Sequence, residues 1–300
     1  MTHHFERCHG LIKVIEELWT VPMMPVAMML RVLPVVVGVS LLGLSEVDVW
    51  AQGGFVLNLP ADGTWVRYEG TYLQEETRPE NPAGKIDIPP WREQVTIKSV
   101  GSEMAEYQGQ QVSCRWIEIK VERGREAEGR IDTGLSGLEL YKVLIPEGVI
   151  HQQPLLEDNI PNDALPIIRG YRQVGTLEPQ PLNESMFKVY PLVLMFAYTR
   201  NLKLLEQGVN PGTTAGQLGS VDVYAGQTQI ERPTSRTDID LQIQTHAEFP
   251  FGVVGWKTTI VRYVKDQQAP RRDFKRFARI EVDMKARQVG SNAISELSVP

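Results

Sequence analysis

Between Thr237 and Glu248 apolar and polar side chains alternate without a break. Ile239, Leu241, Ile243 and Thr245 fall on odd positions, and Asp238, Asp240, Gln242, Gln244 and His246 on even ones. A period of two puts the two sets on opposite faces of an extended strand, one packed and one wet. A strand with one wet face belongs to an antiparallel sheet rather than to a parallel sheet covered on both sides.

The same reading extends along the chain. Leu218–Glu231, Gly255–Lys265 and Phe277–Arg287 follow as strands, the last with Ile280, Val282 and Met284 opposed to Arg279, Glu281, Asp283 and Lys285. In the first half, Thr64–Leu73, Trp91–Val100, Gln111–Arg123 and Leu138–Ile145 are strand-like, and their short connections predict an antiparallel meander. One segment changes phase. Val112, Cys114 and Trp116 are even-numbered, whereas Ile117, Ile119 and Val121 are odd. That shift requires either a bulge near Trp116, the favoured reading, or a strand buried on both faces there.

Lys188–Gly208 departs from this pattern. Pro191 suits a first helical position and Gly208 the residue past a helix end, with Leu192–Ala197 apolar all round. The expected fold class is therefore α+β, mainly antiparallel β. About eight strands form a curled sheet or half-barrel, and one main helix near residues 190–207 packs on its inner face. A long proline-containing loop is expected over 147–184, and a frayed tail after Val289.

The N-terminal residues read differently. Arg31 precedes an apolar run, Val32–Leu44, and Val49-Trp50-Ala51 offers a cleavage site before Gln52. This layout predicts a signal peptide over 1–51, with a true start at Met28 or Met29, and a single β-rich domain over 52–300. The apolar run is too short for a stable membrane span. Secretion, to the periplasm or beyond, is the expected localisation. With Cys8 in the leader, Cys114 is the one cysteine left, so no intrachain disulfide is available. A formal charge of −6 argues against nucleic-acid binding.

Motifs for common chemistries are missing. No Gly-x-Ser-x-Gly, phosphate-binding glycine loop or His-Glu-x-x-His occurs, and only His151 and His246 follow the leader. No catalytic residue, metal ligand or cofactor is therefore assigned. Asp238, Asp240 and His246 share a face, which reads chiefly as a solvated strand face. Glu157, Asp158 and Asp163 lack the spacing of a calcium loop. Arg271, Arg272, Lys275, Arg276 and Arg279, with Phe274 and Phe277, form either an anion patch or a charged turn.

Phe249-Pro250-Phe251-Gly252-Val253-Val254-Gly255-Trp256 is an apolar connector where a hairpin turn is normally polar. Either it tucks under the sheet as core or it forms an apolar rim for a ligand. Long antiparallel strands, an all-round apolar helix and Pro250-Phe251-Gly252 with Trp256 are together similar to the periplasmic lipoprotein-carrier half-barrels. That resemblance implies an acyl chain held between sheet and helix. Tyr141-Lys142-Val143-Leu144-Ile145-Pro146 is similar to stretches of secreted bacterial proteins with no assigned activity. The expected function is a non-catalytic protein binding a lipid or other apolar ligand through Leu192, Met195, Phe196, Phe249, Phe251 and Trp256. The alternative is a structural or protein-interaction module of the cell envelope.

Overall fold

The structure, a computed structural model, describes residues 56–77, 84, 86–135, 137–152, 166–183 and 202–299. All of them belong to one compact unit, Val49–Pro300. The expected leader, most of the expected helix including Leu192, Met195 and Phe196, and Glu157, Asp158 and Asp163 lie outside the described residues.

Among the described residues, twelve strands form one antiparallel sheet. They are β1 (Trp65–Glu76), β2 (Ile86–Tyr107), β3 (Gln110–Ala127), β4 (Arg130–Asp132), β5 (Leu138–Pro146), β6 (Arg169–Val174), β7 (Gln180–Pro181), β8 (Lys203–Val209), β9 (Val221–Glu231), β10 (Ser235–Thr245), β11 (Val253–Val264) and β12 (Lys275–Gly290). The order is β7-β6-β5-β3-β2-β1-β12-β11-β10-β9-β8, with β4 hanging off β3. Two meanders are thus fused where β1 pairs antiparallel with β12, Trp65 opposite Gly290 and Glu76 opposite Ala278. Among the described residues the sheet is not closed, and its edges are β7 and β8.

The expected fold class is corrected here. The described chain is almost wholly antiparallel β, with α1 (Glu147–Gln152) and two 3-10 turns as its helical elements, not about eight strands with a main helix. Lys203–Val209, read as the end of that helix, is edge strand β8, with Lys203 opposite Ala225 and Leu204 opposite Tyr224. Its Leu, Lys, Glu and Gln residues favour helix, but pairing to β9 overrides the local preference. Gly208 is left-handed, at φ +66°, within a register shift of β8 rather than at a helix end. The other missed strands are β4, β6 and β7, which are short, with Gly170 inside β6 and Pro181 in β7. Two of them, with α1, occupy the region read as one long loop.

One face of the sheet carries the main core. Val66, Tyr68, Val95, Ile97, Ile117, Ile119, Tyr141, Val143, Leu241, Ile243, Trp256, Val282 and Met284 form a single apolar cluster. In β10 the observed burial follows the alternation from which the strand was read: Ile239, Leu241 and Ile243 are buried and Asp240 and Gln242 exposed.

The phase change at Trp116 resolves into both devices at once. The β3–β5 ladder is regular from Cys114 to Glu122, so β3 itself has no extra residue. Ile117, Ile119 and Val121 enter the main core, while Cys114 and Trp116 join Leu144 in a second cluster on the back face. The strand is buried on both faces. The bulge lies in β2 opposite Trp116, where the register skips between Ser99 and Ser102 and Gly101 takes φ +110°. Asp62 caps it, accepting the Gly101 N–H at 2.7 Å and the Ser99 hydroxyl at 3.1 Å.

The tail beyond Val289 is docked, not frayed. Leu297 is 1% exposed, and Glu118, itself buried on the back face of β3, accepts hydrogen bonds from the Ser295 hydroxyl and the Glu296 and Leu297 amides. Glu296 in turn bridges Lys98 and Lys120. Burial alone would raise the Glu296 carboxyl, but the two lysines outweigh it and hold it below the usual carboxylate range. A lowered folded value means a contribution complete above the unfolded pKa and lost as pH falls through the folded one. The melting difference between the native chain and Glu296→Gln is therefore expected to hold above about pH 5 and to vanish on further acidification. A pH series of thermal melts reads it, and a difference that grows in acid contradicts the assignment.

Candidate ligand-binding face

The core face has two unlike ends. At the end where β10 turns into β11, the apolar connector folds under the sheet. Phe249, Phe251, Val253, Val254 and Trp256 are all buried, with Phe251 at 0% exposed. Phe251 and Gly252 are left-handed, φ +63° and +79°, and the turn closes through Gly252 N–H to the Phe249 carbonyl at 2.8 Å. The segment before β1 braces it: Leu57 N–H donates to the Phe251 carbonyl, and the Asn58 amide to those of Ala247 and Phe249. Trp256 packs on Tyr68, ring centroids 5.2 Å apart, and the Tyr68 hydroxyl donates to the Val253 carbonyl at 2.8 Å. Burial pushes the Tyr68 phenol far above its ordinary value, so it stays a neutral donor. Of the six residues expected to bind ligand, Phe249, Phe251 and Trp256 are therefore brought together as interior at this end, and the other three lie outside the described residues.

Toward the other end the same face becomes polar while remaining largely buried. Glu93 is 2% exposed and receives Arg123 from directly across the β2–β3 ladder, Nη2 to Oε1 at 2.9 Å. On β5, Glu139 accepts the Tyr141 hydroxyl at 2.5 Å and Arg172 of β6 at 2.8 Å. On β1, Tyr72 donates to Gln74 at 3.2 Å and Gln74 to Glu76 at 2.9 Å, with the Trp91 ring 6.1 Å from Tyr72. Burial first, and the Glu139 charge second, push the Tyr141 phenol far up. It acts as a hydrogen-bond donor, not an acid. Arg172 is the outermost member, its side chain 46% exposed, with its guanidinium 5.6 Å from the Tyr141 ring centroid.

The charged set escaped sequence reading, yet a signal existed. Glu93 is in phase with Val95 and Ile97, Arg123 with Val121, and Glu139 with Tyr141 and Val143. Charges in the apolar phase of three neighbouring strands, all toward one end, mark a buried polar zone.

Other candidates fall away from chemistry. Among the described residues, no group of three or more His, Cys, Asp or Glu side chains is placed to hold a metal ion. Asp238 is taken by Arg236 and the Gln229 amide, and His246 Nδ1 accepts the Glu248 N–H in a turn. Burial raises the Cys114 thiol, which disfavours the reactive thiolate. On the β11–β12 connection, Arg271 pairs with Glu231, and Arg272 is 87% exposed at its side chain. Among the described residues no helix is long and apolar enough to cross a membrane. No protein-family model and no curated protein matches the chain.

Proposed function

We propose that this is a non-catalytic, secreted or periplasmic protein that binds an amphipathic lipid, its acyl part against the apolar core face and its anionic head at Arg172. The observation that carries the reading is the polarity of that face: apolar over most of its area, it ends in the buried Glu93–Arg123 and Tyr141–Glu139–Arg172 sets. An acyl lipid has the same division. The chain between β7 and β8 carries the apolar residues Leu192, Met195 and Phe196 expected to contact the acyl part. The resemblance to periplasmic lipoprotein carriers points the same way. Arg172 pairs with Glu139, yet its side chain is 46% exposed and so still reaches a head group, and a charge-assisted bond of this kind is worth about tenfold in affinity.

Titration of the full chain with a fluorescent fatty acid is expected to saturate. Arg172→Ala is expected to raise the Kd about tenfold, while Arg272→Ala, away on the β11–β12 connection, leaves it unchanged. Binding that does not saturate, or that both variants affect alike, counts against the reading.

The alternative, an envelope interaction module, draws on one feature. Edge strand β8 exposes Leu204 at 38% and Leu205 at 53%. A partner strand added there would cover them. Crosslinking from β8 in envelope fractions would capture that partner, and repeated failure to do so would remove this reading.

A further inference from the structure

The back face of β2, β3 and β5 carries a row of charges whose occupant comes from the chain itself. Lys98, Glu118 and Lys142 are direct cross-strand neighbours, and Lys120 lies two residues along β3 on the same face. Glu118 is 0% exposed and pairs with Lys98 at 2.9 Å. Over this row runs the segment 291–299, which has no helix or strand.

The contacts read backbone more than side chain. Glu118 accepts the amides of Glu296 at 3.0 Å and Leu297 at 3.1 Å, and the Ser295 hydroxyl at 2.7 Å. Lys98 donates to the Ile294 carbonyl at 3.2 Å and Lys142 to the Leu297 carbonyl at 3.3 Å. The Glu296 carboxylate sits between Lys98, at 2.5 Å, and Lys120, at 3.0 Å. A carboxylate gripping successive amides, flanked by donors to carbonyls, with one charged and one apolar side chain selected, is how a groove recognises an extended peptide.

The attachment lies outside both core clusters, although its Leu297 side chain is buried. Ile294, next to the anchor, is 80% exposed, and Asn292 takes a left-handed φ of +66° where the segment turns away from β12. Lifting the segment opens Glu118 to water while leaving Lys98 beside it, so no buried charge is stranded. Local opening of such a strap, held by polar contacts and the one buried Leu297 side chain, needs no disruption of the sheet.

We infer that the Lys98–Glu118–Lys142 row is a peptide-docking site for an extended Ser-acid-apolar segment, occupied reversibly by Ser295-Glu296-Leu297 of the same chain. With its own segment displaced, the site accepts that sequence in trans.

The test uses the full chain. Glu296→Lys places a third cation against Lys98 and Lys120 and releases the segment, and the probe is a labelled synthetic peptide of residues 291–300. The variant is expected to melt cooperatively and to bind the peptide saturably, at least tenfold more tightly than the unmodified chain, whose own segment competes. Adding Glu118→Gln is expected to abolish that binding. No saturable binding to the folded variant, or equal binding with and without Glu118→Gln, overturns the inference. Amide exchange on the unmodified chain decides the case independently of how the variant folds. The Glu296 and Leu297 amides are expected to exchange at least tenfold faster than those of Ile117 and Ile119. Equal protection makes the segment a fixed part of the fold and overturns the inference.

Discussion

Replacing Gly70 with alanine is expected to destabilise the protein by about 3 kcal/mol or more and to lower its melting temperature by roughly 6–12 °C. Gly70 lies in β1 at the seam between the two meanders, held by Glu93 of β2 on one side and Met284 of β12 on the other. A Cβ there would stand 1.9 Å from the Asp283 carbonyl oxygen and 2.5 Å from the Met284 sulfur. The sulfur is the end of a flexible side chain and can move. The carbonyl belongs to the paired strand and cannot shift without breaking the ladder that joins the two halves. A glycine inside a strand marks such a close approach. Gly219→Ala is the control, because nothing lies within 4 Å of its added methyl. Thermal melts that place both variants within about 0.5 kcal/mol of the native chain would show that the β1–β12 seam has slack.

Trp256→Ala is expected to cost roughly 3–5 kcal/mol. The side chain is 2% exposed, packs on Tyr68, and sits on β11 opposite Ile243 and Met284. Its removal leaves a cavity where strands from both sides of β12 meet the buried connector. Denaturant unfolding measures the loss. A variant with unchanged stability but impaired ligand binding would instead make Trp256 a binding-site wall.

These two residues show what local pattern reveals and what it hides. Alternation located eight strands, because each has a packed face and a wet face long enough to show a period of two. It missed β8, because the three-residue spacing of Leu202, just before the strand, and Leu205 within it fits a helical stripe, and because its pairing partner β9 comes later in the chain. It also missed β7, two residues long and including Pro181. Nothing local near Trp65 announces that it pairs with Gly290, because that contact joins the first and last strands of the chain in the middle of the sheet. Glu118 was invisible for the same reason: a carboxylate in a strand reads as wet until the segment that covers it is known.

The candidate site was legible only in its apolar half. The Phe249–Trp256 connector stood out as too apolar for an exposed turn, and its burial at the end of the core accounts for that composition. The charged half needed the register. Glu93, Arg123 and Glu139 become one zone only once β2, β3 and β5 are placed side by side with their apolar phases aligned.

Native mass spectrometry of the gently purified full chain tests the ligand proposal most directly. The expected spectrum contains a one-to-one complex whose added mass, on dissociation, is an acyl lipid with an anionic head, and the complex is depleted in Arg172→Ala. A spectrum of bare chain alone, from a protein that also fails to take up added fatty acid, would contradict the account.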